Sequence, residues 1–197
     1  MTRIVFVRHG NTDWNIEKRA QGHSSNSLNE MGFRQAELVA RRLSEEKWDM
    51  LYASDLLRAK QTAEIISSQI NLPIIFDQRL RERNRGIIEG TIETERIQTW
   101  GKDWRNLGFW QESYASLRVR GRHFVEEMHE RYPGKNILAI THGRLLIETL
   151  YELVPNETNN EDLLNNTSIT IIEMNNNCWK YGLYNCTRHL KSEAITQ

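Results

Sequence analysis

Two short stretches carry the residue types of a reaction site. Val7-Arg8-His9-Gly10 and Ile140-Thr141-His142-Gly143 share one layout, in which an apolar run of strand length ends on a histidine and a glycine follows. In an open α/β sheet, ligands lie outside the carboxyl ends of the strands, so both histidines are expected to reach one crevice. A third run, Tyr52-Ala53-Ser54, leads into a helix whose first turn holds Arg58, near the positive end of the helix dipole. Arg8, Arg58, one histidine and the backbone N–H groups around Gly10 and Gly143 make a compact positive site suited to phosphate, whose oxygens accept the paired hydrogen bonds of a guanidinium. The other histidine is then free to attack phosphorus, provided that it is neutral and that its second nitrogen donates to a backbone carbonyl. Neighbouring arginines disfavour its protonation. Release of an alkoxide also calls for a carboxylic acid, and spacing does not choose among Asp13, Glu17, Glu82 and Glu89.

Such groups need rigid mounts, and the apolar periodicity supplies them. Ile4 to Val7 is the fully apolar run expected of a strand covered on both faces. Asn29 is placed to cap a helix whose Ala36, Val39, Ala40 and Leu43 fall on one face. Asp49 to Ser54 reads as the next strand, and Asp55 as the cap of a helix with Leu56, Ala59, Ala63, Ile66 and Ile70 on one stripe. Pro73 to Phe76 is a short third strand. A helix from about Ser113 runs to Pro133-Gly134, a strand covers Asn136 to Thr141, and a helix covers Leu145 to Val154. Two strands close the pattern, Thr167 to Met174 and Trp179 to Tyr184, joined by a turn at Asn175-Asn176-Asn177. The alternation predicts an α/β fold, a three-layer sandwich with a mostly parallel central sheet flanked by helices. Between Arg81 and Trp110 the pattern decays; Trp100, Trp104 and Trp110 there either line the mouth of the site or pack the segment onto the sheet.

The chain has 197 residues, enough for one substantial core, and a single domain is expected over 1–197 with an irregular substrate-covering segment around 84–115. Its 26 basic and 26 acidic residues balance, so no overall field favours nucleic acid or a membrane surface, and anion binding must be local. The absence of a secretory leader pattern and of a long apolar stretch predicts a cytoplasmic location. Cys178 and Cys186 read as free thiols, and the Asn-x-Ser/Thr triplets at Asn156, Asn165, Asn166 and Asn185 as polar turns, with Pro155 to Asn166 a loop. His23, His123, His129 and His189 have no partners visible in sequence and read as surface or core-edge residues. No His-x-x-x-His array accompanies His9 or His142, so a zinc site is not expected.

In order along the chain, RHGNTDWN (8–15), QGH (21–23), LNEMGFRQA (28–36), YASDLLRAKQTAEII (52–66), LRERNRGIIEG (80–90), QES (111–113) and ITHGRLL (140–146) resemble the successive motifs of the histidine phosphatase superfamily, also called phosphoglycerate mutase-like, and in particular its broad-specificity phosphatases. The resemblance implies the phosphoglycerate mutase-like fold and a histidine acid phosphatase-type phosphoric monoester hydrolase with no metal and no cofactor, acting on a small-molecule phosphate ester. It implies His9 as the nucleophile that becomes phosphohistidine, Glu82 as the proton donor, and Arg8, Arg58 and His142 as phosphate-pocket residues. Thr12, Asn15, Gln21, Gly22 and the backbone of Gly143 match substrate-binding positions. Asn84-Arg85 and Arg144 depart from the usual motifs and add positive charge near the pocket rim. Two other activities fit the same residues. A cofactor-dependent phosphoglycerate mutase would return the phosphoryl group to another hydroxyl, although mutases of this kind carry an insertion that is short here; a phosphate-binding module would keep the pocket without turnover, which the joint presence of His9 and Glu82 disfavours.

Overall fold

The computed structural model describes residues 2–109, 111–158, 163–176 and 178–191. Among them, one sheet contains β1 (Arg3–Arg8), β2 (Met50–Ala53), β3 (Ile74–Phe76), β4 (Asn136–Thr141), β5 (Ile169–Asn175) and β6 (Cys178–Cys186), in the spatial order β3-β2-β4-β1-β5-β6. The first four run parallel, and β5 and β6 add an antiparallel hairpin at one side. The helices are α1 (Asp13–Ile16), α2 (Glu30–Leu43), α3 (Leu57–Ile70), α4 (Glu93–Trp100), α5 (Tyr114–Arg131) and α6 (Gly143–Leu153).

Strand alternation divides each apolar run between two cores. Ile4 and Phe6 of β1 join Tyr52, Ile137 and Ala139 on the face covered by α5 and α6, whereas Val5 and Val7 join Leu51, Ala53, Leu138 and Ile140 on the face covered by α2 and α3. The result is the expected three-layer α/β sandwich. Asn29 and Ser113 cap α2 and α5 through side-chain oxygens that accept from Gly32 N and Ser116 N, as their sequence positions indicate.

Some boundaries differ from the sequence reading. Asp55 does not cap α3: the cap position is Leu56, without a side-chain bond, because the Asp55 carboxylate is held by the Arg81 guanidinium through both oxygens. Helix α6 begins two residues early, at Gly143, since a carboxylate from outside the helix takes its first N–H groups. Helix α4 lies in the segment where periodicity decays; its one buried residue is Arg96, so no apolar stripe marks it. In the hairpin, β5 starts two residues later than expected and ends one later, while β6 is extended at both ends, with Asn176 at φ +48° between them and Asn177 outside the described residues. The loop over 155–166 likewise falls partly outside them, at 159–162.

The register positions the site. Arg8 pairs with Thr141, and His9 N donates to Thr141 O at 2.9 Å, so β1 and β4 end level. On the other flank of β4, Ser54 N donates to Ile140 O at 2.9 Å, bringing the end of β2 alongside. No described helix is long and apolar enough to cross a membrane.

Candidate active site

Because β1 and β4 end level, the next residue of each strand is a histidine and the two rings meet. His9 and His142 are buried, with ring centroids 5.1 Å apart. His9 Nδ1 donates to Gly10 O at 2.7 Å, which leaves Nε2 as the lone-pair nitrogen; Arg58 Nε approaches it at 3.3 Å. Burial, then the charges of Arg58 and Arg8, push the His9 pKa well below its ordinary value. The imidazole is therefore neutral, with its tautomer fixed by a backbone carbonyl. His142 is also driven well below the ordinary range, by burial and then by Arg58. Its Nε2 lies 2.8 Å from Ser54 Oγ. Ser54 Oγ accepts from Leu56 N, so its hydroxyl proton is available to His142, and the remaining ring nitrogen, Nδ1, is a buried donor without a partner.

Arg58 is fully buried in the first turn of α3, where burial lowers its pKa to about 10. Its Nη nitrogens donate to Ser24 O and Gly22 O, at 3.2 and 2.9 Å, which aims the guanidinium edge at His9. Arg8 donates Nη1 to Leu164 O, while its buried Nε has no partner. A cavity of about 150 Å³ opens among Arg8, His9, Asn15, Gln21, Arg58 and Glu82. The unpartnered Arg8 Nε and the Arg58 guanidinium beside it suit an anion, whereas His142, whose ring packs against His9, is not among the residues that line the cavity.

Glu82 is half-buried and faces the same cavity. Its carboxylate accepts from Arg83 N at 2.8 Å, Leu145 N at 3.1 Å and Arg144 N at 3.2 Å, which makes it the cap of α6 from a distant part of the chain. Burial raises its pKa, but Arg85, the backbone donors and Arg58 outweigh this and hold it below the usual carboxylate range. The other candidate carboxylates serve elsewhere. Asp13 and Glu17 are exposed, in surface bonds to Asn29 and Arg19. Glu89 accepts from His23 N, Arg85 N and Ser24 Oγ, joining two walls of the cavity.

Gly22 shows why that wall admits no side chain: its φ is +51°, and a Cβ would stand 1.9 Å from Glu89 Oε1. Asn15 and Gln21 line the cavity, and Gln21 Oε1 is buried without a partner. Thr12 is not among the lining residues; its hydroxyl caps α1 by accepting from Asn15 N at 3.2 Å. Gly143 starts α6 beside Arg8, whose Nε a Cβ would meet at 3.4 Å. Several supporting residues escape the sequence reading. Ser54 orients His142. Arg120, paired with Glu112, donates to Arg79 O, Arg81 O and Glu82 O and so fixes the backbone of Glu82. His23 is more than a surface residue: its Nε2 contacts Glu82 O at 2.8 Å. The QES segment gave a signal for Glu112; nothing local marked Arg120.

The tryptophans divide. Trp100 stacks on Phe109 at 4.8 Å, and Trp110 lies outside the described residues. Trp104 is 5% exposed, sits between the Arg96 and Arg105 guanidinium groups and donates Nε1 to Glu93 at 3.1 Å. Trp104→Ala should therefore cost about 3 kcal/mol or more of unfolding free energy, measured by denaturant titration; a change below about 1 kcal/mol would show that the segment packs independently of this ring. Cys178 is exposed and Cys186 buried, both free, and no cluster of three or more His, Cys, Asp or Glu fit for a metal occurs among the described residues.

Residues 4–187 match the family model described as histidine phosphatase superfamily (branch 1). The chain is 32% identical to the uncharacterized phosphatase PhoE of Bacillus subtilis, over 96% of this chain and 97% of that one. It is 30% identical to a metal-independent phosphoserine phosphatase of Arabidopsis thaliana, over 100% and 87% of the two chains. Among solved structures, YhfR of Bacillus stearothermophilus superposes with a TM-score of 0.87 at 27% identity, covering 96% of this chain and 100% of that one. With the strand-end histidines and the level strands that present them, these matches give one conclusion: the chain belongs to the histidine phosphatase superfamily and has its phosphoglycerate mutase-like α/β fold.

Proposed function

We propose that the protein is a phosphomonoesterase of the histidine acid phosphatase type, hydrolysing small phosphorylated metabolites through phosphohistidine at His9. The observation that carries this reading is the neutral His9 ring, with Nδ1 committed to Gly10 O and Nε2 in a cavity shared with Arg8, Arg58 and Glu82. The ester phosphate enters with its oxygens on Arg8, Arg58 and His142, where fixed cationic and N–H groups supply the charge compensation that phosphoryl transfer requires. His9 Nε2 attacks phosphorus, the P–O bond to the alkoxide breaks, and Glu82 delivers a proton to the departing oxygen. Glu82 is ionised in the empty site. A bound phosphate dianion offsets the positive field of Arg85 and Arg58 and raises the proton affinity of the carboxyl, so the catalytic proton is taken up with the substrate. Water then attacks phosphorus and gives its proton to Glu82 as the bond from phosphorus to His9 Nε2 breaks, and inorganic phosphate leaves with His9 neutral again.

The purified protein should hydrolyse a simple aryl phosphate at an undiminished rate in the presence of chelator, and alkali-quenched samples should carry a base-stable phosphate on protein that is released by subsequent acid. Loss of activity on chelation would overturn the metal-independent part of this reading. Incubation with 3-phosphoglycerate and a bisphosphoglycerate primer separates hydrolysis from isomerisation: free phosphate is expected, and rapid isomer formation without it would establish a mutase instead.

A further inference from the structure

The chain enters β5, beside the strand that carries His9, through a strained residue. Thr167 is fully buried and stands at φ +54°, a left-handed conformation that crowds a branched Cβ and that glycine or asparagine adopts with less strain. The other left-handed non-glycine positions among the described residues are Lys18, Asn71, Asn176 and Asn185, none of them branched at Cβ and none buried. Strained backbone of this kind persists only where the surroundings hold it, and it gathers at functional sites. Here it serves Arg8 and His9. Thr167 N donates to Arg8 O at 3.0 Å and to His9 O at 3.3 Å, and the side chain before it, Asn166, donates Nδ2 to His9 O at 3.0 Å. The same amide donates to Asn15 Oδ1 at 3.3 Å and accepts from Asn11 Nδ2 at 3.4 Å. Ser168 O takes Arg8 N at 3.3 Å, and Leu164 O takes Arg8 Nη1. The segment 164–168 therefore braces Arg8 and His9 on the flank opposite β4, where Thr141 O takes His9 N.

What threonine adds over glycine at this position is a hydroxyl. Thr167 Oγ1 donates to Asn166 O at 2.8 Å and lies 3.2 Å from His189 Nε2; the other nitrogen of that buried ring, Nδ1, accepts from Arg42 Nη1 at 3.4 Å. With Nδ1 accepting, Nε2 carries the hydrogen and donates to the hydroxyl oxygen. The hydroxyl is thus pinned from both sides, and it pins the backbone in turn.

We infer that Thr167 and Asn166 are positioning residues for the nucleophile: the Thr167 hydroxyl, held by His189, keeps a strained backbone whose N–H, together with the Asn166 amide, fixes the His9 carbonyl and so the line along which Nε2 meets phosphorus. Neither residue is among those that line the phosphate cavity. The inference rests on the reading of His9 as the nucleophile given above.

Thr167→Gly tests it, because glycine accepts the same φ without strain and lacks only the side chain. The variant should bind inorganic phosphate, measured as a competitive inhibitor, within about threefold of wild type, yet lose about tenfold or more in kcat and in the rate of phosphoenzyme formation, since small misplacements of a reacting atom are costly. Thr167→Ser, which keeps the hydroxyl, should recover most of that loss. Asn166→Ala should show the same split between kcat and phosphate affinity, and it carries the test if Thr167→Gly does not fold. A Thr167→Gly or Asn166→Ala protein with kcat within about threefold of wild type would overturn the inference, and so would a loss of kcat matched by an equal loss of phosphate affinity. In either case the wild type still hydrolyses esters through phosphohistidine. Wild-type protein that forms no phosphohistidine would instead overturn the reading of His9, and the positioning role with it.

Discussion

His9→Ala is expected to lower kcat for any ester by at least about a thousandfold and to abolish the acid-labile phosphoenzyme, while inorganic phosphate still binds through Arg8, Arg58 and His142. The size of the effect follows from the absence of a substitute: His142, the nearest imidazole, holds Nε2 against Ser54, whereas His9 Nε2 meets only the Arg58 guanidinium. Because burial and two arginines keep the His9 pKa well below the ordinary 6.5, the imidazole resonances of His9 should show no titration near that pH in nuclear magnetic resonance spectra. The nucleophile is lost only when pH falls through the depressed folded value. A His9→Ala protein that still forms phosphoenzyme, or a His9 ring titrating close to pH 6.5, would refute the assignment.

Glu82→Gln should separate esters by their leaving groups. An alkyl phosphate, whose alkoxide needs a proton as the P–O bond breaks, is expected to turn over at least about a hundredfold more slowly; an aryl phosphate with an acidic phenol should lose much less in its first step, seen as a preserved burst. Glutamine can accept at one oxygen but its amide repels the remaining backbone donor, so α6 also loses part of its cap, at a cost of about 1 kcal/mol. Equal losses for both ester classes would assign Glu82 to structure alone. Recovery of stability without recovery of alkyl phosphate turnover in Glu82→Asp would point the other way, to a carboxyl whose reach matters.

Much of this arrangement is legible from residue order because β1 and β4 end level and each is followed by a histidine. Ile4 to Val7 and Ile137 to Ile140 are apolar for two-sided burial, and the first residues free of that duty include the two histidines proposed to act on the phosphate. The carboxylate is a different matter. Asp13, Glu17, Glu82 and Glu89 look alike in sequence, and what distinguishes them is tertiary: Glu82 alone meets the start of α6, while Glu89 stitches the Gly22 wall to Arg85. Helix α4 was illegible for a related reason. Its inner face is an arginine that donates to Thr91 and lies on Trp104, so burial there is achieved by hydrogen bonding and cation–π contact, which leave no apolar period to read. Asp55 looked like a cap by type and position, and only the approach of Arg81 redirects it.

The capping of α6 by Glu82 gives the carboxylate two claimants. It caps the helix, accepting from the orphan N–H groups of Arg144 and Leu145; in the proposed reaction it would also serve the ester oxygen, to which it would surrender a proton held only while the helix claim is weakened. On that proposal, resting and working protein would differ in how firmly one helix is anchored to the sheet, and each turnover would be a brief loan of structural glue to chemistry.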